Sequence, residues 1–364
     1  MGDNVKRRHH TVPKFHLRNF ASEKEQLTQL DVVTGRQMTV NFGDATVRKH
    51  FYTIVLPDGT QSQAWEDRLS DLEGEIAPVV NKIVNDQVWL LSDHEKDTLS
   101  LWIALQYMRG PDARRQMTQI ASMVTRLQVG MGGIAYLRYA MERGLGTEVP
   151  DEVVERAWID LTGPPGPQVT VSGNDHLNMI AAYVEPARLM IRDRIWGRIR
   201  FDRKSLALGD VPVTLIRGDT PESLEVGLDS APSIAVALGR HTLLWLDLPS
   251  EMRDPDASDK TYRNRFRDAE LAPSTKLASA NNLAAVLQAE RFVYFHTDDD
   301  LAPRDFEWPR PERVLSDPRT ENDVNRERPL QDVLDQIAGH RDNSGMSLIA
   351  DYIWPIPGYS PPVA

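Results

Sequence analysis

Histidine and arginine are residues of proton transfer and phosphate binding. Residues 9–20, HHTVPKFHLRNF, hold three histidines, one arginine and one lysine. Imidazole titrates near neutral pH and also ligates metals. Guanidinium grips phosphate or carboxylate with two parallel hydrogen bonds. Pro13 does not fit a helix interior, so residues 9–13 are expected to be extended. If the chain stays extended, side chains alternate. His16 and Arg18 then lie opposite Phe15 and Leu17, and His10, His16 and Arg18 can face one pocket. Phe15, Leu17 and Phe20 would be the anchors. The alternative is a surface strand with incidental histidines.

Five further residues carry polar chemistry. Glu66 and Glu73 are seven apart, so on a helix they share a face about 10 Å apart along the axis. They are too far apart to hold one metal ion between them, but could pair separately with His10, Arg18 or Arg109. Gln106 and Arg109 end an apolar run, LSLWIALQYMRG. A cation there can cap the helix C-terminus, or emerge from a buried helix toward an anionic partner. Asp210 stands two residues before Pro212, on a turn that could fix a carboxylate for a metal or for orienting a histidine; the plainer role is a local Asx-turn. The glycines at 130–133 lack dinucleotide or phosphate-loop spacing. There is no nucleophile elbow and no H-E-x-x-H. His50 and His94 read as structural.

These residues need elements to position them. QLTQLDVVTGRQMTV reads as a β-hairpin around Thr34–Gly35–Arg36, and HFYTIVLPDGT as a strand closed by a Pro-Asp-Gly turn. Trp65, Leu69, Leu72, Ile76, Val79 and Ile83 recur at helical spacing, with Pro78 placed to kink or divide the helix. Ser92 with Glu95 is a capping box that starts a central buried helix ended by Gly110–Pro111. Further helices fit 112–128, 134–143, 151–161 and 174–196, and TGPPGP at 162–167 is an exposed loop. From about 198 the runs SLALGD, VPVTLIR, SIAVALG and TLLWLDL read as an antiparallel sheet, followed by a helix, NNLAAVLQAE, and a strand, RFVYFHT.

The expected fold is therefore α+β: a central helical bundle, an antiparallel sheet in the C-terminal half, and an N-terminal hairpin and extended segment packed on it. The expected organisation is one domain over 1–300, made of the N-terminal motif and strands at 1–62, a helical part at 63–197 and a sheet part at 198–300. A Pro-rich, charged extension at 301–364 holds one helix, LQDVLDQIAG.

Composition narrows the class. The net charge of −11 argues against broad non-specific nucleic-acid binding. Residues 1–20 run the other way, with Lys6, Arg7, Arg8, Lys14 and Arg18 against Asp3. The absence of cysteine excludes disulfides, thiolate metal sites and a cysteine nucleophile. No apolar run reaches bilayer length and no signal peptide is evident, so the expectation is a cytoplasmic protein without a membrane partner.

In chain order, HTVPKFHLRNF, HFYT, WEDRLSDLE, LQYMRGP and LGDVPV resemble the family catalogued as domain of unknown function 4238. The resemblance covers roughly residues 9–298 and picks out His10, Pro13, Leu17, Phe20, Glu66, Glu73, Arg109, Asp210 and Pro212. This sequence departs from the pattern in having Gly110 between Arg109 and Pro111, and in lacking an asparagine after Asp210. The resemblance implies a prokaryotic protein, with some relatives tied to antiphage defence.

Motifs and resemblance together lead to the expectation of a defence or toxin-like effector, a hydrolase or nuclease if it turns substrate over. Its substrate would bear phosphate, as nucleic acid or a nucleotide does. His10 would be the general acid or base. Glu66 and Asp210 would orient it or bind a divalent metal. Arg18, His16, Gln106 and Arg109 would hold the substrate, and Pro13, Leu17, Phe20, Glu73 and Pro212 would be structural. A rival expectation is a non-catalytic sensor or interaction module. There His10 bonds Glu66 and Arg109 pairs with Glu73 in a buried network. A third is a small-molecule binder without turnover.

Overall fold

Short β-branched runs and amphipathic stretches fold here into an α+β protein whose strands find partners far away in the chain. The computed structural model describes residues 8–55, 58–85, 89–163, 172–218, 227–249 and 268–302. In chain order the elements are β1 (Arg8–His10), α1 (Lys14–Arg18), β2 (Gln26–Asp31), β3 (Gln37–Asn41), β4 (Val47–Lys49), β5 (Ile54–Val55) and β6 (Gln61–Ser62). There follow α2 (Ala64–Asn85), α3 (Asp93–Met108), α4 (Pro111–Leu145), α5 (Asp151–Thr162) and α6 (Gly173–Arg192). The last are β7 (Ile195–Arg200), β8 (Leu208–Gly209), β9 (Thr214–Ile216), β10 (Ser233–Gly239), β11 (Thr242–Asp247), β12 (Ala269–Leu271), α7 (Thr275–Gln288) and β13 (Phe292–His296). Two compact units divide the chain. Of the described residues, the first holds 8–114 and 172–302, and the second 115–163.

In the first unit a five-stranded sheet in the order β12-β7-β11-β10-β9 forms the middle layer. Every residue of β10 is buried, which explains why SIAVALG reads as a continuous apolar run and not an alternating one. Ile234, Val236 and Leu238 pack with Leu99, Trp102 and Ile103 of α3 and with Ile180 of α6. Ala235 and Ala237 face the other way, onto Leu17, Phe20 and Leu27. The sheet is antiparallel as expected except at one edge, where β12 runs parallel to β7. The N-terminal hairpin does more than pack on a sheet. Strand β2 pairs with β13, giving a second sheet in the order β3-β2-β13-β8.

The helices follow their caps. Both halves of the Ser92–Glu95 capping box form at α3, and Ser172 with Asp175 does the same for α6. Pro78 neither kinks α2 into two helices nor ends it; the helix runs through. At its far end Arg198 Nη1 donates to Ile83 O (3.2 Å) and Arg200 Nη2 to Val84 O (2.7 Å). Two cations from β7 thereby satisfy carbonyls at the negative helix terminus. The helix expected over 174–196 stops at Arg192. Arg194 is buried and donates to Leu228 O and Ala231 O, which fixes the turn into β7. Among the described residues of 50–60, β5 alone is a strand, pairing with β6.

In the second unit α4 breaks at Gly133, whose φ of 71° suits glycine. The break falls in the gap that the sequence leaves between 128 and 134. Val129, Leu137, Val149 and Val154 make a small core between α4 and α5, and Arg138 pairs with Asp151. The helix expected at LQDVLDQIAG, the extension at 303–364 and the loop beyond Gly163 lie outside the described residues. No helix among the described residues is long and apolar enough to cross a membrane.

Candidate functional site: a polar centre at the N-terminal segment

The N-terminal segment is a strand followed by a helical turn, not one extended run. Strand β1 pairs antiparallel with β4, and Pro13 then stands before α1 with φ −61° and ψ 147°. The amides of His16 and Leu17 both donate back to Pro13 O at 3.1 Å. A proline before the first helical residue costs no hydrogen bond, so it starts a helix here. This corrects the expected alternation of residues 15–18. His16 is fully buried and Arg18 is exposed.

On β1 adjacent histidines take opposite faces. His9 is 1% exposed. Its Nδ1 accepts from the Tyr52 amide at 2.7 Å, and its ring stacks on Tyr52. His10 is half-buried, with Nε2 3.1 Å from Gly43 O. Burial lowers the His10 pKa, Gly43 O opposes this, and the charges of Lys14, Arg8 and Arg109 lower it further. The imidazole is held neutral among cations, with Nε2 the donor and Nδ1 the basic nitrogen. Its bond goes to Gly43 and not to Glu66, as the network expectation had it.

Arg109 is the C-cap of α3 and is 2% exposed. Its Nη1 donates to Glu73 Oε1 at 3.1 Å, and with the Gln106 amide oxygen turned toward it, its Nε donates there at 2.8 Å. Tyr52 Oη donates to Arg109 O at 3.3 Å. Burial pushes the Tyr52 phenol up to about 12, with Arg109 opposing and the carboxylates of Glu66 and Glu73 adding to the rise. The structure therefore gathers Glu66, Glu73, Gln106 and Arg109 around Tyr52, with His10 within electrostatic reach of Arg109. Glu66 and Glu73 are half-buried and face this centre from α2, two helical turns apart.

The other sequence candidates lie elsewhere or do other work. His16 Nε2 donates to Ala237 O at 2.7 Å beneath Trp102, and burial pushes its pKa down to about 4. It is a core histidine, not a substrate contact. The Arg18 guanidinium lies 5.1 Å from the centroid of the Phe42 ring. Asp210 is 7% exposed, and its two oxygens accept from the amides of Glu290 (2.7 Å), Arg291 (2.9 Å) and Phe292 (2.9 Å). Burial pushes its carboxyl up to about 7 against the pull of those amides. Asp210 clamps the start of β13 and does not orient His10, and Pro212 beside it is buried. Leu17 and Phe20 are core anchors and Pro13 is buried. Among the described residues no three His, Asp or Glu side chains cluster to hold a metal, so Glu66 and Asp210 are not brought into one such set.

Sequence reasoning passed over four residues that the centre uses. Tyr52 and His9 were visible only as neighbours of better candidates. Arg114 donates Nε–H to His176 Nδ1 (3.1 Å) and Nη2–H to Phe51 O (2.8 Å), with Phe51 below its guanidinium. His176 Nε2 donates to Met108 O (2.9 Å), and its pKa falls to about 4, chiefly through burial. No spacing in the sequence signals these contacts, which span more than 60 positions. An open groove between α2 and α3, edged by Trp65, Arg68, Leu72 and Leu105, is lined by none of the predicted residues.

Fold and site together define an α+β protein whose N-terminal His-x-x-Pro segment closes over a polar centre built on two helices. Residues 8–299 match the family described as "Protein of unknown function (DUF4238)", and the chain belongs to that family. No curated protein matches the chain. No solved structure matches it either.

Proposed function

We propose that the chain is an effector enzyme acting on a phosphate-bearing substrate, in the manner of a defence protein. The observation that carries this reading is His10: half-exposed, bonded through Nε2 to Gly43 O, and in the electrostatic field of Lys14, Arg8 and Arg109. A neutral imidazole with one nitrogen fixed on Gly43 O leaves the other free to take a proton from water or a hydroxyl. The surrounding cations favour an anionic substrate and stabilise charge that develops on it. Arg109 contributes through its field alone, because Glu73 and Gln106 occupy its guanidinium. The Glu66 carboxylate and the Tyr52 phenol are the further ionisable groups at this centre.

The test compares His10→Ala with the wild type in thermal melting and in phage protection of bacterial cells. The reading expects protection to vanish while Tm moves by less than about 2 °C, since His10 makes one hydrogen bond on a half-exposed strand. Intact folding with intact protection would sink it.

A second reading is supported by one specific observation, the burial of Arg109 with its own partners. There the motif is a clasp that locks the N-terminal segment onto α2 and α3, and the protein is a non-catalytic sensor or interaction module. It expects stability and protection to fall together at His10, Glu73 and Arg109 alike.

A further inference from the structure

Strand β1 meets β4 in a register that sets like charges against each other. Arg8 lies directly opposite Lys49, and His10 directly opposite Val47. Side chains alternate along both strands, so Arg8, Lys49 and His10 share one face, while His9 and Arg48 take the other. Like charges directly opposite each other destabilise a ladder. Nothing within the described structure offsets this pair fully. Arg8 touches Asp44, but both side chains are more than half exposed, and such a pair contributes little. Lys49 makes no ion pair among the described residues, and neither does Lys14.

The cations continue past the ribbon. Residues 8–20 carry Arg8, Lys14 and Arg18 and no acid, on a chain whose net charge is −11. Lys14 and Arg8 both act on His10, and Arg18 sits on Phe42, next to the Gly43 carbonyl that His10 bonds. Arg8, Lys14, Arg18 and Lys49 are all exposed. The row is longer than a single phosphate group can engage.

We propose that this face, Arg8 and Lys49 on the β1–β4 ribbon with Lys14 and Arg18 of α1, is a docking track for the phosphate backbone of a nucleic acid, which it leads to His10. The proposal rests on the reading above that this end of the molecule handles phosphate, and it narrows the substrate from any phosphate ester to a polynucleotide. A row of exposed cations, two of them (Lys14 and Lys49) without an ion pair among the described residues, binds a polyanion by releasing its condensed counterions. An anionic membrane surface offers similar charge, but membrane-seated elements also insert apolar side chains. Of the large hydrophobic residues exposed among the described residues, only Met38 lies within the first fifty, on another sheet.

The experiment titrates the full chain against a fluorescein-labelled 20-nucleotide single strand and a 20-base-pair duplex by anisotropy, over a series of KCl concentrations. Lys14→Glu, Lys49→Glu and the double variant are compared with the wild type. Thermal melting checks that these exposed changes leave the fold intact. The expected result is wild-type binding that weakens with salt. In the double variant it weakens at least about tenfold, and the slope of log K against log salt falls by roughly 0.7 to 0.9 per removed contact. No wild-type binding, or an unchanged slope in the double variant, overturns the proposal. So does equal or tighter binding to phosphatidylserine vesicles lost through the same variants, which assigns the track to a membrane. ATP binding by calorimetry, run alongside the His10→Ala protection assay, separates the two failures. If the oligonucleotides fail while His10→Ala still abolishes protection, the track is wrong and the phosphate reading stands.

Discussion

Replacing Arg109 by alanine would strand Glu73 and Gln106 around a space the size of a guanidinium. Breaking a buried ion pair costs about 3–5 kcal/mol. Glu73 keeps 29% of its side chain in water, so the lower end applies. The prediction is a loss of roughly 3 kcal/mol in urea unfolding. Arg109→Lys should recover only part of it, because an ammonium cannot reach Glu73 and Gln106 in one fork. Histidine supplies a second prediction at this scale. His16 and His176 are neutral in the native state, with values near 4, against about 6.5 in the unfolded chain. Between these values the unfolded chain binds more protons, so their contribution is whole above about pH 6.5 and drains away as pH falls toward 4. For the fully buried His16 the ceiling is roughly 3 kcal/mol. Melting His16→Asn and wild type at pH 7.5 and pH 5 checks it: the wild type should lose more stability on acidification than the variant. Residue types near this centre could be read from the sequence, but residue roles could not. HHTVPKFHLRNF shows that imidazoles are present, not which one a strand turns inward.

At the scale of elements, legibility followed the range of the forces involved. The capping box at Ser92 and the helix it starts rest on contacts within four residues, and both stand in the sequence. Strands β10 and β11 could be read because burial on both faces leaves an apolar run. The sequence reads the start of the N-terminal segment as extended, but neither α1 nor the pairing of β1 with β4, nearly forty residues on, could be read from it. Asp210 shows the same limit. Its carboxylate looked free for chemistry because the three amides that hold it belong to residues eighty positions away. Asp210→Ala would leave those amides without their acceptor, where one unsatisfied buried donor costs about 1–3 kcal/mol. The expected outcome is a loss of more than about 2 kcal/mol in denaturant melts, with the fastest rise in amide exchange at 290–292. Protection there as slow as in wild type would refute the clamp.

The whole molecule joins regions of unequal strength. The five-stranded sheet is covered on both faces by large apolar clusters, whereas α4 and α5 share four core residues. Hydrogen exchange should therefore be slowest in β10 and β11 and orders of magnitude faster in α5. Uniform protection across both would contradict this. The pairing of β2 with β13 carries a different consequence, one of time. Asp31 at the end of β2 meets Arg291, 260 residues later. A ribosome adding about 5–20 residues per second needs roughly 13 to 50 seconds to cover that distance. Throughout that interval the nascent hairpin presents a strand edge and an apolar face with nothing to cover either. Birth, more than maturity, is when this protein is most exposed to mispairing, and its yield in the cell should depend on the chaperones that hold the hairpin until its last strand arrives.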